Sequence, residues 1–124
     1  MTEPLALVVY EKLLPGTQLV NRLQDLRYRV LAIQDPNTLL ACARQERPMI
    51  VMADLVAGHV DVSGAIARLK QDPDTRHIPV VAFAPEPAKE LQASGREAGA
   101  TLVVTDTAVL NHLPQLLQQA LQVE

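Results

Sequence analysis

Aromatic side chains are nearly missing from this sequence: two tyrosines, one phenylalanine and no tryptophan in 124 residues. With only Tyr10, Tyr28 and Phe83, the chain has little with which to stack on bases or flat cofactors. Its core must be filled by Leu, Val, Ile, Ala and Met. Cysteine is as scarce. Cys42 stands alone, which excludes an internal disulfide framework, fits a reducing compartment and leads us to expect a cytoplasmic protein. There is no excess of positive charge. Eleven Lys and Arg against fourteen Asp and Glu leave a net charge of −3, which argues against a nucleic-acid-binding domain with its basic face. No apolar run reaches the length needed to cross a bilayer, and the short acidic start lacks the basic region of a secretory signal, so no membrane partner is expected. Phosphate-cradling glycine loops are absent too: nothing matches G-x-G-x-x-G or G-x-x-x-x-G-K-[ST].

What is present is a strict alternation of two textures. Short β-rich runs fall at 5–10, 29–33, 49–53, 78–84 and 101–105. Between them apolar residues recur with helical spacing: Leu19, Leu23 and Leu26; Leu39, Leu40 and Ala43; Ile66 and Leu69; and Leu113, Leu116, Leu117, Ala120 and Leu121. Most of the β runs are apolar at consecutive positions, the pattern of strands covered on both faces in a parallel sheet. Five β-then-α units therefore predict one doubly wound α/β domain over residues 1–124. The punctuation agrees. Asp35-Pro36 reads as a helix cap followed by proline at the first helical position. Gly99 sits where a helix ends in a left-handed turn. Asn111 can cap the last helix, with Pro114 in its first turn. The fourth helix, 87–98, is expected to be the least secure, since it is thin in large apolar residues and carries Gly95 in its interior. Ligands of such sheets bind beyond the carboxyl ends of the strands, where the winding direction reverses. That directs attention to Tyr10-Glu11, Asp54-Leu55, Ala84-Pro85 and Thr105-Asp106.

At these strand ends the sequence resembles a response-regulator receiver domain, the phosphoacceptor module of two-component signalling. The stretch RPMIVMADLVAGHVDVSGAIARLKQDPDTRHIPVVAFA, 47–84, carries most of the resemblance, and AGA at 98–100 adds to it. The resemblance implies a flavodoxin-like three-layer sandwich whose five-stranded parallel sheet has the order 2-1-3-4-5. It places the phosphoacceptor aspartate on Asp54. The acidic pair that holds Mg²⁺ falls on Tyr10 and Glu11, so Glu11 and Asp54 are the only acids left to bind a metal. The phosphoryl-sensing hydroxyl falls on Ala84, the lysine on Asp106, its following proline on Thr107, and the switching aromatic on Val103. The proline and glycine of the loop after the acceptor fall on Gly58 and Val62. Where the family's site sets a lysine against its carboxylates, Glu11, Asp54 and Asp106 gather negative charge with no matching lysine, and a hydrated cation or Lys12 folding over the site could relieve the repulsion.

An aspartate accepts a phosphoryl group only where cations and fixed donors meet the charge spread over its oxygens. Phosphorylation of Asp54 is therefore expected to be weak or absent. Mg²⁺ can bind but no cofactor is required, and no enzymatic activity is expected. The alternative for Asp106 is that it faces solvent or caps the turn that follows. Asp54, likewise, can stand at a strand end merely to cap the next turn. Three functions stay open: a pseudo-receiver that docks on a protein, a slow phosphoacceptor using Asp54, Glu11 and Mg²⁺, and a small-molecule binder on the same fold, which no loop motif supports. The resemblance implies a protein partner, either a histidine kinase or a downstream regulator. It also implies a homodimer through the fourth helix, fifth strand and fifth helix. The chain ends with the last expected helix, so no effector domain is expected within it. Cys42 reads as a small buried hydrophobe, and His59 as a solvated loop residue. His77 and His112 lack metal-ligand spacing, and Arg44, Arg47, Arg68 and Lys70 read as solvated faces.

Overall fold

The structure, a computed structural model, describes residues 4–10, 13–56 and 61–122, with residues 13–15 described by backbone alone. Five strands, β1 (Leu5–Val9), β2 (Arg29–Ile33), β3 (Ile50–Asp54), β4 (Val80–Ala84) and β5 (Leu102–Thr105), form one parallel sheet in the order β2-β1-β3-β4-β5. The crossovers contain helices α1 (Leu13–Asp25), α2 (Leu39–Glu46), α3 (Val62–Gln71) and α4 (Lys89–Ala98), and the chain closes with α5 (Asp106–Asn111) and α6 (Leu113–Gln122). Winding goes outward from β1 to β2 and then reverses to β3. The switch point lies between β1 and β3, where Val9 is level with Ala53.

Burial explains the layers. β1, β3 and β4 are buried along their whole length, and alternate residues feed opposite faces. Leu7, Val51, Val80 and Ala82 pack with Leu39, Ala43, Ile66 and Leu69 of α2 and α3. Ala6, Val8, Met52 and Phe83 pack with Leu19 and Leu23 of α1 and with Val109, Leu113 and Leu117 of α5 and α6. Full burial of each such Leu, Ile, Val or Phe contributes about 1.5–3 kcal/mol. The expectation of two covered faces fails at the sheet's edges. In β2, Arg29, Leu31 and Ala32 are exposed, and β5 is half-buried throughout, because each has a strand neighbour on one side only.

Local chemistry sets most boundaries where the pattern placed them. The Asp35 carboxylate accepts from Asn37 N at 3.0 Å and starts a 3-10 turn, Pro36–Thr38, that leads into α2. Gly99 ends α4 at φ 102°. Four details differ. A short additional helix, α5, precedes the last one, and Asn111 ends it instead of capping α6. Pro114 has no N–H for Leu110 O and its ring crowds that carbonyl, so the chain breaks at His112, φ −124° and ψ 27°. Leu26 lies beyond the end of α1 and is 39% exposed. Cys42 is half-buried, at the margin of the core and not inside it. Lys70 is not a solvated cation. Its Nζ donates to Ile78 O at 2.6 Å and Arg76 O at 3.3 Å, and burial pulls its pKa below the ordinary lysine value. Among the described residues no helix is long and apolar enough to cross a membrane.

Candidate functional site

Register brings the singled-out strand ends to one edge. Asp54 lies opposite Phe83 in β4, and Ala84 lies opposite Thr105 in β5. Tyr10 follows Val9 directly and is held by donation of its N–H to Ile33 O at 3.0 Å. Asp54, Tyr10, Ala84 and Asp106 thus gather at the carboxyl ends of four neighbouring strands, around the switch point.

Asp54 is the last residue of β3 and is 2% exposed. The main chain beside it is pinned by Leu55 N donating to Phe83 O at 2.9 Å. Its Oδ1 accepts from Val56 N at 2.9 Å, so the carboxylate also closes the turn after the strand, as a strand-end aspartate can. Tyr10 fills the corner between β1 and α1 with its ring. A Cβ on Gly16 would fall on that ring, so a glycine in the first part of α1 is what lets the tyrosine lie there. A bulky, half-buried phenol ring packed against the core beneath α1 therefore stands at the position that the resemblance assigns to the first acid of the pair. Ala84 is wholly buried and presents a methyl group where a hydroxyl is expected. Asp106 is the first residue of α5 and is half-buried. There a carboxylate meets the positive end of the helix dipole, which favours it by about 0.3–1 kcal/mol. The cap itself is not Asp106 but Thr105, whose Oγ1 accepts from Ala108 N at 3.1 Å. Val103 half-buries its side chain on the α4 side of β5, and a Cβ on Gly95 would come within 3.4 Å of it and 3.2 Å of Leu55. The interior glycine that weakens α4 on propensity is what allows the helix to seat so closely.

Glu11, Lys12, Gly58 and His59 lie outside the described residues. Of the two acids assigned to a cation, Asp54 alone is described, and among the described residues no group of three or more His, Cys, Asp or Glu side chains is placed to hold a metal ion. Val62, at the loop's glycine position, is instead the buried first residue of α3.

The capping role of Thr105 and the residue Gln92 are absent from the sequence reading. Thr105 places a hydroxyl one strand away from Ala84, and its T-D-T-A pattern after a β run is a legible capping signal. Gln92 is 6% exposed, and its Nε2 donates to Pro85 O at 3.0 Å and Glu86 O at 3.2 Å, tying α4 to the loop that leaves Ala84. Nothing in the pattern marks it, since glutamine on a thin helix reads as solvated.

A parallel sheet in the order 2-1-3-4-5, helices on both faces and a buried aspartate ending the third strand define the receiver fold of response regulators. The chain is similar in fold, and over part of its length in sequence, to proteins of that class. It is 35% identical over 78 residues, 63% of its length, to the response regulator PleD of Caulobacter vibrioides, of which the match spans only 17%. The receiver domain of a sensor histidine kinase from Pseudomonas aeruginosa, which carries a magnesium ion in its active-site cleft, superposes with a TM-score of 0.88 at 18% identity, covering 98% of this chain and all of that one. The chemotaxis response regulator CheY4 of Vibrio cholerae superposes with a TM-score of 0.76 at 19% identity, covering 93% and 99%. No protein-family model matches the chain.

Proposed function

We propose that the chain is a pseudo-receiver: a signalling module that acts by docking on another protein, is not an enzyme, and takes up phosphate at Asp54 weakly or not at all. The observation that carries this reading is the pair of side chains at the ends of β4 and β5. Ala84 offers no hydroxyl to a phosphoryl oxygen, and Asp106 puts a carboxylate in the place of a lysine. A phosphoryl oxygen about 4 Å from a carboxylate meets up to roughly 4 kcal/mol of repulsion at an effective dielectric near 20. A half-exposed Asp106 is screened below that bound. Even so, the sign opposes phosphoryl transfer, which depends on positive charge and fixed donors. Tyr10 adds to the reading by filling the position of one magnesium-binding acid with a ring.

The partner consistent with this role is a histidine kinase or a downstream regulator, and the face of α4, β5 and the closing helices α5 and α6 is where a second copy would pair. Gly95 lets α4 seat closely on Leu55 and Val103, and Gln92 ties α4 to the loop after Ala84, which supports α4 as part of that face. A second reading rests on Asp54 itself. It keeps a buried carboxylate at the third strand end, and with Glu11 it would hold Mg²⁺, whose charge would let Asp54 act as a slow phosphoacceptor. Incubation with acetyl phosphate and Mg²⁺ followed by intact mass separates the two. The pseudo-receiver stays at its unmodified mass, whereas a substantial phosphoryl adduct that Asp54→Asn abolishes establishes the second reading.

A further inference from the structure

The basic residues are sorted by the winding of the chain. Every crossover helix starts at the carboxyl edge of the sheet and ends at the amino edge. Among the described residues, every Lys and Arg except Lys89 lies in the last turn of such a helix, in the approach to the next strand or, as Arg29 does, at that strand's first position. Arg22, Arg44, Arg68 and Arg96 close α1, α2, α3 and α4 in turn, each at the negative end of its helix. The amino edge of the molecule is therefore its cationic pole, although the whole chain has a net charge of −3.

A hollow opens at that pole. Between the end of α2 and the loop from α3 to β4 lies a hollow of about 420 Å³, lined by Arg44, Arg47, Pro73, Asp74, His77 and Ile78. Arg44 is held in place: its Nε lies 3.7 Å from Asp72 and its Nη2 3.4 Å from Asp74. Arg47 occupies a costly backbone geometry. It ends α2 at φ 51° and ψ 60°, a left-handed conformation that favours glycine or asparagine. The described non-glycine residues with positive φ are Arg27 and Arg47, two arginines at this same pole. A guanidinium at the mouth of a hollow, at a site where the backbone favours a residue without it, suggests that the guanidinium has a use.

We propose that this hollow is a docking site for a carboxylate-bearing segment of a protein partner, gripped by the planar fork of Arg47 beside an Arg44 that Asp72 and Asp74 hold in place. Arginine suits carboxylates because its fork can donate two parallel hydrogen bonds. A nucleic acid fits less well, because no aromatic ring lines the hollow for a base to stack on. The site lies at the opposite end of the sheet from Asp54, so it stands or falls independently of the phosphorylation reading.

The test uses a fluorescently labelled octaglutamate peptide, titrated by anisotropy at low salt, on the order of 50 mM, where charge contacts are least screened. Arg47→Gly is the decisive variant, because it removes the guanidinium while relieving the backbone. It is expected to keep or raise the melting temperature and to weaken the peptide by about tenfold or more. Arg47→Asn, which also tolerates the left-handed region, is expected to do the same if the glycine variant folds poorly. Arg96→Gln removes a charge from the same pole outside the hollow and is expected to change binding by no more than about twofold. The proposal is overturned if the wild-type chain does not bind the peptide, if Arg47 variants bind as wild type, or if Arg96→Gln loses as much as Arg47→Gly. It is equally overturned if a single-stranded oligonucleotide or an anionic lipid vesicle binds more tightly than the peptide.

Discussion

Gln92 ties two parts of the fold together, and its replacement should rank in a particular way. The side chain is 6% exposed, and one amide nitrogen serves Pro85 O at 3.0 Å and Glu86 O at 3.2 Å. Both carbonyls belong to the loop that leaves Ala84, and the same loop is closed by Ala88 N donating to Pro85 O at 3.0 Å. Gln92→Leu keeps the volume and removes both bonds, each contributing about 1 kcal/mol net. Better apolar burial returns part of that, so a loss of about 1–2 kcal/mol is expected, or roughly 4 °C in melting temperature for each kcal/mol. Gln92→Glu is nearly isosteric but replaces the donor by a carboxylate aimed at two carbonyl oxygens in a buried place. It should cost more than the leucine variant, about 2–4 kcal/mol at neutral pH. Burial and the facing carbonyls disfavour the ionised form, so the penalty should shrink as pH falls and the carboxyl gains a proton to donate. Urea unfolding followed by circular dichroism gives the ranking, and hydrogen exchange at Ala88 reports the loop. Equal stability of the wild type and both variants, with unchanged exchange at Ala88, would show that Gln92 does not fasten this loop.

Two further outcomes follow from the packing. Gly16→Ala should destabilise by about 1–3 kcal/mol through overpacking against the Tyr10 ring, despite the helix-propensity gain of about 1 kcal/mol. In a Tyr10→Ala background the same change should become neutral or favourable, a coupling that a thermodynamic cycle in urea measures. Burial holds the Tyr28 hydroxyl above its ordinary value of 10.0. The folded state therefore keeps its proton when the unfolded chain has lost it. Stability should be intact below about pH 10 and decline as pH rises beyond it toward the folded value, and Tyr28→Phe should remove that share of the alkaline decline.

The five β runs were legible because β1, β3 and β4 are buried on both faces, which leaves continuous apolar words such as LVV and IVMA in the sequence. The edges β2 and β5 were also found, but their exposure was not, since Val30, Leu31 and Ala32 look as buried on paper as Val51 and Met52 do. The last helix was legible from the stripe Leu113 to Leu121, with Pro114 in its first turn, but α5 is only six residues long and too short to show a helical period of its own. At the site, the identity of each strand-end residue could be read from the sequence because parallel strands align their carboxyl ends. Its surroundings could not. That Tyr10 lies on Gly16, that Gly95 admits Leu55 and Val103, and that Gln92 holds the loop after Ala84 are all contacts between residues far apart in the chain or on different faces of a helix. No local period encodes them.

The central claim is that the side chains at 84 and 106 keep phosphate away from Asp54. Intact-mass spectrometry after acetyl phosphate and Mg²⁺, run on the wild type and on an Ala84→Thr, Asp106→Lys variant side by side, tests it most directly. The account predicts an unmodified wild type and a variant that gains a phosphoryl group, lost again when Asp54→Asn is added. Abundant Asp54-dependent phosphorylation of the wild-type chain would contradict it.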